Sequence, residues 1–203
     1  MIISAYSDTH GKRPPITITG DIILHAGDIY EDDRHIEGVK EWDNISKRIL
    51  AVRGNHDAFD PIKFFENREF KICQIDEKLW VIGVGFATKD LSYGLYAIPT
   101  ERTISKIVAK TLEHTIDLIP QGDQTIILSH YAPASELYGS EEGWFFNSIT
   151  KMCEALKPLA LLHGHTHNLF GRNYYIGETP VWSLGPKGFT FTVEGSSIRE
   201  RKP

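Results

Sequence analysis

Short apolar runs that each end in a polar loop restrict this chain more than any other feature. Met1–Ser7, Asp21–Ala26, Arg48–Arg53, Lys71–Ile75, Leu79–Gly85, Gln124–Ser129 and Leu159–His163 are such runs. Segments of this length, rich in Ile, Val and Leu and bounded by turn residues, predict strands buried on both faces. Helical periods separate some of them. Ile104, Ile107, Val108, Thr111, Leu112 and Ile116 keep a 3.6-residue period, which predicts a helix over residues 101–118. Phe146, Ile149, Cys153 and Leu156 predict a second helix, stopped by Pro158. Ile36, Val39, Trp42 and Ile45 predict a third. Tyr174–Ile176, Val181–Leu184 and Phe189–Val193 are short and separated by Gly-Pro-containing turns, the pattern of a C-terminal antiparallel meander. Helix-linked strands followed by a meander predict a mixed α/β (α+β) fold, with sheet packed on sheet and helices outside.

Composition narrows the possibilities. At 203 residues with no repeat or linker, residues 1–203 are expected to form a single domain. The longest apolar stretch, Leu79–Ala87, is far short of the ~20 residues that span a bilayer, so no membrane association is expected. The first residues carry no basic lead of the kind that opens a signal peptide. Cys73 and Cys153 sit in apolar-patterned segments, where reduced core cysteines and a cytoplasmic location are expected. Lys and Arg number 22 against 27 Asp and Glu, a net charge of -5 that disfavours extended nucleic acid as a partner. Homo-oligomerisation is left open.

Nine histidines are present, and several stand beside Gly, Asp or Asn at the ends of the apolar runs. In chain order these ends read Asp8-Thr9-His10, Gly27-Asp28, Gly54-Asn55-His56-Asp57, Ser129-His130 and Gly164-His165-Thr166-His167. Ligands of open α/β sheets gather outside the carboxyl ends of strands, so five such ends can converge on one site. Asp and Asn oxygens with His nitrogens, and no thiolate, suit Mn, Fe, Zn, Ni or Co. Seven such ligands exceed one ion's needs. They suit two ions about 3.5–4 Å apart, the arrangement used for in-line displacement at phosphorus. In an extended segment, residues i and i+2 face the same side, so Asp8 with His10 and His165 with His167 are expected to point into one site. Two divalent cations against Asp8 and Asp28 leave a positive centre suited to a phosphate anion. A run reading Gly-Asn-His-Asp arises by chance in about one of 800 chains of this composition.

The ordered set from Asp8 to His167 resembles the calcineurin-like metallophosphoesterase superfamily, and it spans most of the chain. The resemblance implies a four-layer αββα sandwich of two mixed sheets flanked by helices. It implies one metal on Asp8, His10, Asp28 and His167, and a second on Asp28, Asn55, His130 and His165, with Asp28 bridging. His56 matches the histidine that protonates the leaving oxygen, and Asp57 the acid that orients it. Manganese is the first candidate among the metals. The implied activity is that of a dinuclear metal-dependent phosphoesterase. A phosphodiesterase for small phosphodiesters or nucleotides, working by attack of a metal-bridging hydroxide, is the preferred form. A phosphomonoesterase, a protein phosphatase or a nuclease of the same superfamily remain alternatives. From another class, a catalytically silent partner-binding scaffold is a further alternative.

His163 and His25 read as buried histidines beside the site, and His35 and His114 as solvated helix residues. The stretch from Tyr131 to Phe146 follows His130 and is rich in aromatics. It stacks on a substrate group beside the site, or else packs in the core or forms an interface.

Overall fold

The computed structural model describes residues 1–13, 19–30, 41–42, 45–57, 72–86, 99–136 and 144–201. A five-stranded sheet contains β1 (Ile2–Tyr6), β2 (Ile22–His25), β3 (Arg48–Ala51), β12 (Phe189–Glu194) and β13 (Ser197–Glu200), in the order β13-β12-β1-β2-β3. A six-stranded sheet contains β4 (Ile72–Asp76), β5 (Leu79–Val84), β6 (Gln124–Ser129), β9 (Ala160–His163), β10 (Asn173–Ile176) and β11 (Thr179–Ser183), in the order β10-β11-β9-β6-β5-β4. Both sheets are mixed. β1, β2 and β3 run parallel, as do β5, β6, β9 and β11, while β12, β4 and β10 join antiparallel.

The continuous apolar runs are explained by burial on both strand faces. Ile3, Leu24, Leu50, Ile126, Leu128, Leu162 and Phe191 meet between the sheets. Their neighbours in sequence point outward: Ile127 and Leu161 face the helices on the six-stranded sheet, and Ile23 and Ile49 pack with Trp42 on the five-stranded one. Helix α1 (Glu101–Leu118) begins at Thr100, whose hydroxyl accepts the Thr103 N–H at 3.3 Å. Helix α2 (Asn147–Leu156) ends at Lys157 in the left-handed conformation, just before Pro158. The Glu101 carboxylate accepts the Asn147 and Ser148 N–H groups at 2.9 and 2.8 Å, which ties the start of one helix to the start of the other. Among the described residues no helix is long and apolar enough to cross a membrane.

Two sequence expectations change. The C-terminal strands are antiparallel hairpins, but they are shared between sheets: β10-β11 belongs to the six-stranded sheet and β12-β13 to the five-stranded one. A three-strand meander in one sheet is therefore replaced by a chain that crosses from one layer to the other at Gly185. In α1 the buried stripe is Ile104, Val108, Thr111 and Thr115, and Ile116 is 78 % exposed. At 100° per residue, position 115 returns to within about 20° of position 104, while 116 lies about 120° away. The two buried threonines satisfy their hydroxyls on carbonyls four residues back, Ile107 at 2.9 Å and Thr111 at 2.8 Å. Of the third expected helix, Ile36 and Val39 lie outside the described residues. Glu41 and Trp42 are helical, and the Trp42 indole is fully buried. The short pair β7 (Ala132–Pro133) and β8 (Phe145–Phe146) and the edge strand β13 have no clear sequence signal.

Phe191 is fully buried between the sheets, edge-on to Trp182 at 5.0 Å. Phe191→Ala should cost about 3–5 kcal/mol of unfolding free energy, read from urea melts. A loss under about 1 kcal/mol would show that this position is not a core contact.

Candidate metal centre

The loops after β1, β2, β3, β6 and β9 bring Asp8, His10, Asp28, Asn55, His56, His130, His165 and His167 to one place. Three compact triads of ligand atoms result: Asp8 with His10 and His167, Asp8 with Asp28 and His130, and His10 with Asp28 and His56. In each, the ligand atoms lie within 4.8 Å of one another. Asn55 joins through His130, with its Oδ1 3.1 Å from Nε2. His165 stands edge-on to His130, 5.1 Å between ring centroids. All seven residues expected to ligate metal are therefore gathered. The side chain of His165 enters through ring contacts and belongs to none of the compact triads.

The geometry that gathers them differs from the expectation. Asp8, His10, Asp28 and His165 have positive φ angles of 53°, 45°, 54° and 65°. Asp8 and His10 thus converge through left-handed turns and not along an extended strand end. Such a conformation costs a non-glycine residue roughly 1–2 kcal/mol, so the surroundings must hold it. They do so with backbone bonds: Asp8 N–H to Gly27 at 2.9 Å, and His10 N–H to Asp28 at 3.1 Å. The His165 N–H is drawn to the Asp8 carboxylate, at 3.1 and 3.2 Å. Close approach at Gly54 and Gly164 is also required. A Cβ at Gly54 would overlap the Asp28 carboxylate, and one at Gly164 would overlap that of Asp8.

Asp57 serves the centre differently from the role implied by the resemblance. It is fully buried, and its carboxylate accepts four backbone N–H groups: Asp28, Ile29 and Gly54 at 2.8 Å and Tyr30 at 3.1 Å. Its oxygens are occupied by the backbone of two ligand loops, not by the His56 ring. His56 is instead placed through its main chain, whose N–H donates to Asp28 Oδ1 at 2.8 Å.

The histidine around Asn55 shows what the centre is made to hold. Nδ1 of His130 lies 2.7 Å from the Ala26 carbonyl, which can only accept, so Nδ1 carries the proton. Nε2 is then a lone pair. It faces Asn55 Oδ1 at 3.1 Å and Asp28 Oδ2 at 3.5 Å, two further acceptors. Burial pushes His130 down to about 4, so a second proton on the ring does not resolve the clash near neutral pH. Three lone-pair atoms converging in a buried space fit a cation. On the other side, burial would raise Asp8, but the His167 hydrogen bond and the nearby imidazoles hold it at about 2. Burial, together with the facing carboxylates of Asp57 and Asp8, pushes Asp28 well up. A divalent cation there answers the same charge that a proton otherwise would. The donor set, oxygens and imidazoles without thiolate, fits Mn, Fe, Zn, Ni or Co and does not choose among them.

The surrounding histidines are fixed in neutral form. His25 Nδ1 accepts the Gly27 N–H at 3.2 Å, so its Nε2–H donates to the Thr9 hydroxyl at 3.1 Å. This joins the Asp8–His10 loop to the Asp28 loop and explains a residue that sequence placed only near the site. His163 Nδ1 donates to the Gly164 carbonyl at 2.9 Å, and its Nε2 accepts from the Tyr174 hydroxyl at 3.1 Å. His56 is half-buried, and burial with the neighbouring His10 pushes it down to about 4. It is therefore neutral near pH 7 in the metal-free, ligand-free centre. The aromatic stretch divides: Phe145 and Phe146 are buried in the core, and Trp144 is exposed beside His165. Residues 137–143 of that stretch lie outside the described residues, as does His35.

His163 is pushed down to about 4 by burial, against about 6.5 in an unfolded chain. Between those values the unfolded chain holds the extra proton, so this residue's contribution to stability is present above pH 6.5 and is lost as the pH falls toward 4. Asp28 and Asp57, raised in the fold, act in the opposite sense, so the effect must be read by difference. The fall in Tm of metal-free protein from pH 7 to pH 5 should be smaller in His163→Gln than in wild type. Parallel curves would contradict a neutral buried imidazole.

A family model of the calcineurin-like phosphoesterases matches residues 5–169. Among solved structures, TT1561 of Thermus thermophilus superposes with a TM-score of 0.67 at 14% identity, covering 98% of this chain and 97% of that one. The phosphopantetheinyl hydrolase PptH of Mycobacterium tuberculosis gives 0.62 at 13% identity, covering 99% and 95%. At such identities these likenesses show the fold. A curated protein named probable rhamnogalacturonate lyase C, from Emericella nidulans (strain FGSC A4), is 24% identical over 205 residues, covering 94% of this chain and 19% of that protein. The chain thus spans about a fifth of the length of this curated relative. The family match covers the same stretch that supplies the candidate ligands, from β1 to the turn after His167, and the chain belongs to the calcineurin-like phosphoesterases.

Proposed function

We propose that this protein is a dinuclear phosphodiesterase acting on small phosphodiesters, nucleotides among them. The observation that carries the reading is the pair of adjoining donor sets: Asp8, His10 and His167 on one side, and Asp28, Asn55 and His130 on the other. Two divalent cations held there would supply Lewis acidity toward the phosphoryl oxygens and a water acidic enough to attack phosphorus near neutral pH. The protein supplies the rest. The buried carboxylates are few, so the loaded centre is positive inside a chain of net charge -5. That favours a small anion and disfavours a long polyanion. A name such as phosphopantetheinyl hydrolase on one structural neighbour is in keeping with a small organic phosphate as substrate. A cytoplasmic setting agrees with Cys73 and Cys153, which are both unpaired and buried.

His56 is the proton donor in this reading. Its Nε2 lies on the Asp28 side of the ring, 3.8 Å from Oδ2, and its side chain keeps 29% of its surface open. Neutral in the resting state, the imidazole is driven toward its charged form by an arriving phosphate anion. The proton then passes from the ring to the departing alkoxide oxygen, and no covalent phosphoenzyme forms.

The test is to strip the protein of metal, add back Mn²⁺, and compare bis-p-nitrophenyl phosphate with p-nitrophenyl phosphate. Metal-dependent turnover favouring the diester is expected. Preference for the monoester would make the protein a phosphatase, and inertness toward both would favour a silent scaffold. His56→Ala should reduce turnover of alkyl leaving groups by about 10²–10⁴-fold, and much less for p-nitrophenol, which departs without a proton. Equal losses on both would remove His56 from the donor role.

A further inference from the structure

We propose that Trp144 is a stacking platform that selects phosphoesters bearing a planar aromatic group, a nucleobase above all. This rests on the phosphoesterase reading of the same centre. The indole lies 5.1 Å from the His165 ring with planes tilted 33° apart, so it contacts the imidazole without meeting it edge-on. His165 is buried and belongs to the ligand cluster. Trp144 is 41% exposed, one of few large apolar side chains left open to water among the described residues. The indole thus touches a residue of the centre and still keeps part of its surface open to water.

Its neighbours explain why the ring stays there. Phe145 and Phe146 follow directly and are buried, and they form β8 and lead into α2. The platform is thus carried on packed elements, which reduces the entropy lost when a ligand stacks on it. A covering role alone would not call for so large an open apolar surface, because Tyr131 already packs against His165 at 5.1 Å from inside. On the other flank, Phe170 leans on His167 at 4.8 Å, and the His167 side chain is 59% exposed. Among the described residues, His167 and Trp144 are thus side chains at or beside the centre that stay open to water. An ester whose phosphorus sits at the ligand cluster carries its organic group past one of these rings. A planar π-system gains from stacking on indole and an alkyl group gains far less.

The test uses two esters with one non-aromatic leaving group, thymidine 5′-methyl phosphate and dimethyl phosphate, each followed by methanol release. The chemical step is then matched, and the ratio of their kcat/KM values reports the retained group. In metal-loaded Trp144→Ala the nucleoside-to-methyl ratio should fall roughly 5- to 100-fold, the range that base–aromatic stacking supplies. Most of the change should lie in KM. Trp144→Phe should recover much of the ratio. An unchanged ratio, or an equal fall on both esters, overturns the proposal and leaves Trp144 as a cover for His165. A binding readout keeps this separate from catalysis: isothermal titration of metal-loaded protein with thymidine monophosphate and with methyl phosphate. Preference for the nucleotide that is lost in Trp144→Ala supports the platform even if neither ester turns over, an outcome that would count against the phosphodiesterase reading alone. Equal affinity of wild type for the two ligands overturns the platform whatever the turnover.

Discussion

Four backbone N–H groups converge on one buried carboxylate, Asp57, and the centre depends on that convergence. Three come from the loop after β2 and one from the loop after β3. The two loops carry Asp28 and Asn55, so Asp57 sets the separation of two candidate ligands without being one. Its removal would take a buried acceptor from four backbone donors, and a buried donor left unsatisfied costs about 1–3 kcal/mol. The same bonds keep Gly54 close against Asp28, where no side chain fits. The centre is thus built from main chain outward: the backbone is tied first, and the ligand atoms follow.

Around this tie stands a ring of imidazoles whose protons are assigned by carbonyls and N–H groups. His130, His25 and His163 each have one nitrogen fixed by the main chain, which decides what the other nitrogen does. For His130 the remaining nitrogen is an acceptor among acceptors, the best single indication that a cation belongs there. For His25 and His163 the remaining nitrogen is used to hold Thr9 and to meet Tyr174. Burial keeps all three neutral, so many histidines stand together without mutual repulsion.

Most strands and the gathering of the Asp, Asn and His side chains were legible because they share one signal, an apolar run followed by Asp, Asn or His. The run reports burial on both faces, and the polar residue that follows reports a strand end. Conformation was not legible. Left-handed backbone at Asp8, His10, Asp28 and His165 is set by bonds between distant loops, and nothing in an Asp-Thr-His triplet encodes it. The same holds for Asp57, whose partners are N–H groups that every residue has. Sheet membership of the last strands was hidden because hairpin signals describe local pairing and leave the larger sheet undetermined. Trp144, Phe145 and Phe146 are adjacent and chemically alike, so only tertiary packing separates the open ring from the two core ones. In α1, apolar Ile116 and polar Thr115 exchange their expected places because angle outweighs residue type when a hydroxyl can bond back to its own helix.

The crossing of the C-terminal strands from one sheet to the other has a consequence for the order of assembly. β1 lies between β2 and β12, with Ile3 paired to Ile22 on one side and to Phe191 on the other. The strand that opens the chain is therefore left with a bare edge until residues near the other end arrive. Asp8 follows that strand, and its partners His165 and His167 also come late in sequence. Such distant pairings carry a large loop-closure entropy and form slowly. The candidate ligand set is thus complete only in a chain whose two ends have already met, and an ion that needs all of it would report completed folding.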